Sequence, residues 1–300
     1  MSPSATTPVD RRQVKAIRAT WELLRDAGEG FIAHGALSRG GSIAYFTLFS
    51  IAPVLLVVVA VAGLAFGRRA AEGAIVIQLS SLMGEDTARA LQAMIGSAGK
   101  PHEGIIASII GVGVLIVATS GVFGEVQAAM NQIWKVETSR HSTLSRLVRA
   151  RLTSLGLVVT AGFLLMVSLA VSAALAGLSA YLRSVFPAAE LALKATDIIL
   201  STLLIVSLFA LMFKVLPDAK IAWRDVAVGA LASTLLFEGG KYAIAFYVGR
   251  SNIGSSYGAA GALIVFLVWI YYSAQIFLLG AEFTRAFAQR FGSHAPSATN

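Results

Sequence analysis

The apolar positions of this chain fall into long runs separated by short polar or charged stretches, a pattern that predicts membrane-spanning helices rather than a water-soluble core. A bilayer core about 30 Å thick takes about 20 helical residues to cross. Ser42 to Phe66 and Gly104 to Gly124 meet that length, and Leu152 to Leu182 exceeds it without a charge, so that third run is expected to tilt or protrude. Ile198 to Phe213 is shorter; the span is expected to start near Lys194, to take Asp197 inside and to end before Pro217. The last run extends from Tyr257 to Ala281.

Between these lies an interrupted stretch, Asp225 to Gly249. Its apolar halves, Val226 to Phe237 and Tyr242 to Gly249, are each too short to cross alone. If the stretch crosses as one helix, Glu238 and Lys241 lie inside the membrane with Gly239 and Gly240 between them. The expected fold is therefore an all-α polytopic membrane protein with six transmembrane helices, at about 42–66, 104–124, 152–182, 194–216, 226–249 and 257–281, forming one membrane domain over 13–290. Residues 1–12 and 291–300 read as disordered tails. No apolar segment follows a short basic start, so no cleavable signal is expected.

Two further elements are expected outside the membrane. From Gln13, the residues Val14, Ile17, Trp21 and Leu24 recur at helical spacing, with Lys15, Arg18 and Arg25 elsewhere on the wheel. That pattern suits an N-terminal amphipathic helix on the membrane surface, or one packed on the protein's own loops. The mixed segment from Gly67 to Glu103 suits one or two short extracytoplasmic helices.

Composition agrees with the membrane assignment. Hydrophobic residues make up 56% of the 300 positions and charged residues 13%, against about 25% charged in soluble domains. The net charge of +8 is read as an orientation signal and not as a nucleic-acid footprint. With six spans, most basic residues collect on one side: Arg11, Arg12, Lys15, Arg18, Arg25 and Arg39 before the first span, Lys135, Arg140, Arg146, Arg149 and Arg151 before the third, and Lys214, Lys220 and Arg224 before the fifth. Both termini are thus expected in the cytoplasm, with anionic lipid as the neighbour of the basic loops. Arg146 and Arg149, just ahead of a membrane entry, are candidate headgroup contacts.

Cysteine is absent, which removes disulfide and thiol chemistry from consideration. His34, His102, His141 and His294 are far apart, so each reads as a solvated or loop histidine and no metal site is expected. No glycine-rich loop ending in Lys-Ser or Lys-Thr follows a strand, and no cofactor is expected.

Several pieces resemble a known family. GGSIAYFTLFSIAPVLLVV (Gly40 to Val58), SGVFGEVQAAMNQIWKVE (Ser120 to Glu137), LPDAKIAWRDVAVGAL (Leu216 to Leu231), FEGGKYAIAFYV (Phe237 to Val248) and YGAAGALIVFLVWIYYSAQIFLLGAEF (Tyr257 to Phe283) are similar to the YihY/BrkB family of bacterial inner-membrane proteins. The likeness runs from about Trp21 to Arg285. It implies a six-span helical protein of the bacterial inner membrane with no settled activity; members have been called virulence factors, and the family long carried a ribonuclease BN label. Metal-dependent RNA hydrolysis needs clustered His and Asp ligands, and metal-free hydrolysis needs a placed acid and base with a cation. The soluble stretches offer neither, so the expectation is a protein that is not an enzyme.

The candidate substrate or ion pathway consists of Glu238, Lys241, Tyr271, Gln275 and Glu282. Glu238 and Lys241, at i and i+3, share a helix face, and intramembrane charges are a functional hypothesis by default; a buried structural pair is the alternative. Tyr271, Gln275 and Glu282 form a stripe on the last span, with Arg285 as an interfacial partner of Glu282. Glu125, Gln127, Asn131 and Trp134 extend the second helix on the cytoplasmic side, where capping and inter-helix hydrogen bonds account for them. Two functions fit: transport of a lipid or other amphiphilic or anionic substrate, or a non-catalytic scaffold for envelope assembly that docks partner proteins on the 67–103 surface. The oligomeric state is left open.

Overall fold

In the computed structural model, the described residues are 11–83, 121–136, 189–250 and 259–294, with isolated positions at 85, 88–89, 91–93, 156, 160, 163–164 and 167. All their regular structure is helical. The helices are α1 (Arg11–Ala33), α2 (Ala36–Phe66), α3 (Arg68–Met83), α4 (121–133), α5 (Ala189–Val215), α6 (Trp223–Arg250) and α7 (Ala259–Arg290).

Glycines in the left-handed region set two of the connections. Gly35, at φ 66°, turns α1 into α2, and Gly67, at φ 81°, turns α2 into α3; a Cβ at either would strain the backbone. Within α2 the axis bends by 54° between Ile51 and Val54. Pro53 lies in that interval, and a proline has no N–H to give the helix ladder. Pro217 follows the end of α5 as expected, since the helix stops at Val215.

α7 is the hub, packing against α6, α2, α1 and α3. Its C-terminal half enters a core with Phe213 and Leu216 of α5, Val226 and Ala230 of α6, Met130 and Ile133 of α4, and Ile43 of α2. Phe213 and Phe277 pack with ring centroids 5.3 Å apart. α3 covers the second half of α2, where Ala71 and Ile75 meet Leu55, Val58, Val59 and Ala62.

The α6–α7 seam is antiparallel and close. A Cβ on Gly229 would overlap the Thr284 side chain, one on Gly280 the Ser233 hydroxyl, and one on Gly240 the Tyr272 hydroxyl. Small residues facing larger ones let two helix backbones approach where lipid supplies no hydrophobic force between them. Ser233 and Thr284 are buried and donate to carbonyls four residues back, Gly229 and Gly280, so neither hydroxyl is left unpaired.

Several boundaries differ from the sequence reading. α2 begins six residues before Ser42 and α7 continues to Arg290, because helix extends beyond the apolar run into polar surroundings. Among the described residues, two helices are long and apolar enough to cross a membrane, Ile198–Val215 in α5 and Leu263–Arg290 in α7, or up to three if the two arms of α2 form one bent span. Asp197, expected inside the fourth span, precedes the first of these windows. Spans at 104–124 and 152–182 lie largely outside the described residues, as do Arg146 and Arg149. Of the expected C-terminal tail, residues 291–294 are an ordered turn: Gly292 donates to Phe287, and Ser293 binds Asp225 through its backbone N–H at 3.0 Å and its hydroxyl at 2.6 Å.

Candidate functional site

α6 is one unbroken helix of 28 residues, about 42 Å at about 1.5 Å per residue. Glu238 and Lys241 sit in its C-terminal half, joined Nζ to Oε2 at 2.7 Å, with side chains 31% and 27% exposed. Among the described residues each is the other's only charged partner. The same helix exposes Leu231 and Leu235 before the pair, and Tyr242 and Phe246 after it. From Leu231 to Phe246 this outward apolar face runs about 22 Å, with the ion pair between its two ends. The glycines between the charges have different surroundings. Gly240 is buried against the Tyr272 hydroxyl, which donates to the Leu236 carbonyl at 3.4 Å, whereas a Cβ on Gly239 would meet nothing within 4 Å.

The stripe expected on α7 divides. Tyr271 is exposed, while Gln275 and Glu282 turn inward toward α2 and α1. Gln275 lies against Gly40, with both amide atoms buried and without a partner among the described residues. Glu282 is 1% exposed and accepts from His34 Nδ1 at 2.5 Å, whereas Arg285 is more distant, Nη1 to Oε2 at 3.5 Å. Gly30 of α1 packs directly on the Glu282 carboxylate. Gly240 faces Tyr272 in the α6–α7 seam, and from Tyr272 to Glu282 is about 15 Å along α7. The expected pathway residues therefore form two groups on different faces of α7, with Glu238 and Lys241 apart from Glu282.

His34 is the residue that sequence reasoning missed. It stands in the turn after α1, as a loop histidine should, but it is not solvated: its side chain is 16% exposed and joins α1 to α7. Its pairing with Glu282 spans 248 positions, and no local pattern links two residues so far apart. Arg285 completes the cluster, its Nη1 donating to the Ile133 carbonyl at the end of α4 at 3.1 Å and standing 3.5 Å from His34 Nε2.

The polar residues of α4 serve as inter-helix ties. Asn131 Nδ2 donates to Asp218 Oδ2 at 2.9 Å, and the Asp218 N–H returns a bond to Asn131 Oδ1 at 2.8 Å. Gln127 adds a longer contact to the same carboxylate, at 3.3 Å, and Arg39 of α2 donates to Gln132.

α1 docks on α7 through a face other than the one that carries Trp21 and Leu24. Leu23 and Ala27 pack on Ala286, Phe283 and Phe287, and Arg290 holds Asp26 at 2.6 Å and Glu22 at 2.8 Å. Trp21, 68% exposed, and Leu24 and Ile32 point away from the protein.

Helices that expose apolar side chains and join inward through glycine notches and hydroxyls bonded to their own helix carbonyls define an α-helical membrane protein. The chain belongs to the BrkB family: the profile described as Virulence factor BrkB matches residues 27–300. A UPF0761 membrane protein of Photobacterium profundum is 29% identical over 272 residues, covering 86% of this chain and 79% of its own length. One from Ralstonia nicotianae is 31% identical over 265 residues, 86% of this chain and 56% of the relative. A third, from Alcanivorax borkumensis, is 33% identical over 181 residues, 60% of this chain and 40% of the relative. The chain thus spans about half the length of the latter two. No solved structure matches.

Proposed function

We propose that this protein moves a lipid or other amphiphilic, anionic substrate across or out of the bacterial inner membrane, as a six-span protein with both termini in the cytoplasm. The observation that carries the reading is the Glu238–Lys241 pair, at the level of an apolar belt on α6 and about one-third exposed. Charges at that depth are costly unless protein or water lies beside them. A pair that keeps about a third of its surface open presents Lys241 to a phosphate or carboxylate and Glu238 to a proton or cation. α1, with Trp21, Leu24 and Ile32 facing outward, lies in the membrane interface in this reading.

The test is reconstitution in liposomes containing a fluorescent anionic phospholipid, with translocation followed by the label's accessibility to a membrane-impermeant quencher. Lys241→Ala and Glu238→Gln are expected to abolish translocation while the protein remains folded and inserted. Translocation no faster than in protein-free liposomes, or unchanged in both variants, overturns the reading. A reporter fused to the C-terminal tail checks the orientation and is expected to signal from the cytoplasm.

A second reading, a scaffold for envelope proteins, is favoured by the exposed Ile77 on α3, in the segment expected outside the membrane. It predicts the reverse pattern: tolerance of Lys241→Ala, and loss of function with changes to the exposed face of α3.

A further inference from the structure

The cluster of His34, Glu282 and Arg285 joins three parts of the fold that are far apart in sequence. His34 comes from the α1–α2 turn, Glu282 and Arg285 from α7, and the Ile133 carbonyl that Arg285 grips from the end of α4. With the His34 ring neutral, the contacts suit one placement of its hydrogen. An arginine N–H can only donate, so His34 Nε2, 3.5 Å from Arg285 Nη1, faces it as an acceptor. The ring hydrogen is then on Nδ1, pointing at Glu282 Oε1 2.5 Å away. Position 34 is thus matched to two neighbours of opposite character, an anion at one nitrogen and a cation at the other.

We propose that His34 and Glu282 form a proton-binding site whose occupancy sets the spacing between α1 and α4. One proton taken from solvent adds at His34 Nε2, and the Nδ1–H bond to Glu282 is kept. The ring then carries a hydrogen toward Arg285 and can no longer accept from it, and two cations stand face to face. Arg285 swings away and releases the Ile133 carbonyl, which loosens the end of α4 from the α1–α2 turn and leaves the Arg39–Gln132 bond as the polar tie between them. Among the described residues Lys135, in the turn after α4, is a further charged group near Glu282; it adds positive charge and strengthens the repulsion. α6 lies along another face of α7, where Gly229 and Ser233 meet Thr284 and Gly280. A Cβ on Gly30 would stand 2.5 Å from Glu282 Oε2, so α1 presents a bare backbone to the carboxylate. This goes beyond the transport reading, because the site takes up its proton whether or not a substrate is carried.

The chain has no cysteine, so spin labels can be placed singly. With Leu24→Cys on α1 and Ala128→Cys on α4, both exposed, the inter-label distance is measured by pulsed electron resonance in lipid nanodiscs. The pH runs from about 4 to about 8, bracketing the ordinary Glu and His values of about 4.3 and 6.5. The expected result is a distance distribution that shifts with a one-proton midpoint and loses its pH dependence in His34→Gln. A distribution unchanged across the range overturns the proposal, as does a shift that survives His34→Gln. Should His34→Gln not insert, Arg285→Lys serves instead: the shorter reach of the ammonium is expected to displace the midpoint, and an unmoved midpoint counts against the site. No substrate enters the measurement, so a failed lipid assay and a failed proton site are told apart.

Discussion

The Tyr272 hydroxyl occupies the space where a side chain on Gly240 would begin, and from there it donates to the Leu236 carbonyl one turn earlier on α6. One glycine of the pair between Glu238 and Lys241 is therefore a packing notch, while its neighbour Gly239 faces open space. Gly240→Ala is expected to destabilise by about 1–3 kcal/mol through overpacking. Gly239→Ala is expected to be neutral or stabilising by up to about 1 kcal/mol, from helix propensity. Thermal unfolding in detergent compares the two; equal effects would contradict the seam described above.

The docking of α1 should weaken in acid. Hydrogen bonds from Arg290, and then from Arg18, hold the Glu22 carboxyl below its ordinary range. A group whose folded value is lowered contributes stability that is present above its unfolded value and is lost as the pH falls through the folded one. Hydrogen exchange in α1 is expected to rise as the pH drops below the carboxylate range, after correction for the intrinsic exchange rate. Arg290→Gln should raise exchange at neutral pH and flatten that dependence.

Trp21, Leu24 and Ile32 form the outward face of α1. A polarity-sensitive dye on Trp21→Cys should emit toward the blue when the protein is in vesicles containing anionic lipid, and a brominated lipid should quench it. Emission characteristic of water in both conditions would place this face in solvent.

Asn131 makes two bonds to Asp218, one to its carboxylate and one from its backbone. Asn131→Ala removes both and is expected to cost about 1–3 kcal/mol, since each typical bond contributes about 0.5–1.5 kcal/mol. Asn131→Asp should be worse, because two carboxylates would then face each other. Thermal unfolding, with hydrogen exchange in the α5–α6 connection, reads the effect.

What could be read without coordinates follows from local chemistry. Runs of apolar residues set the helical class, Pro217 marks the end of α5, and the lone charges between Phe237 and Tyr242 single out α6. The hydrogen-bonding role of Gln127 and Asn131 was also legible, because polar residues on a helix beside a tight connection have few other uses. The face by which α1 docks was not legible, since Trp21 and Leu24 are its larger apolar residues and point outward, while the small Ala27 and Gly30 are what α7 accepts. Periodicity reveals that a helix has an apolar side but not which neighbour will meet it, and in a membrane protein lipid competes for the larger side chains. Tertiary structure alone brought His34 to Glu282, parted Glu282 from the Glu238–Lys241 pair and assigned Gly240 to Tyr272. Each of these depends on how far one helix slides along another, a quantity set by the summed fit of both surfaces and written in neither helix alone.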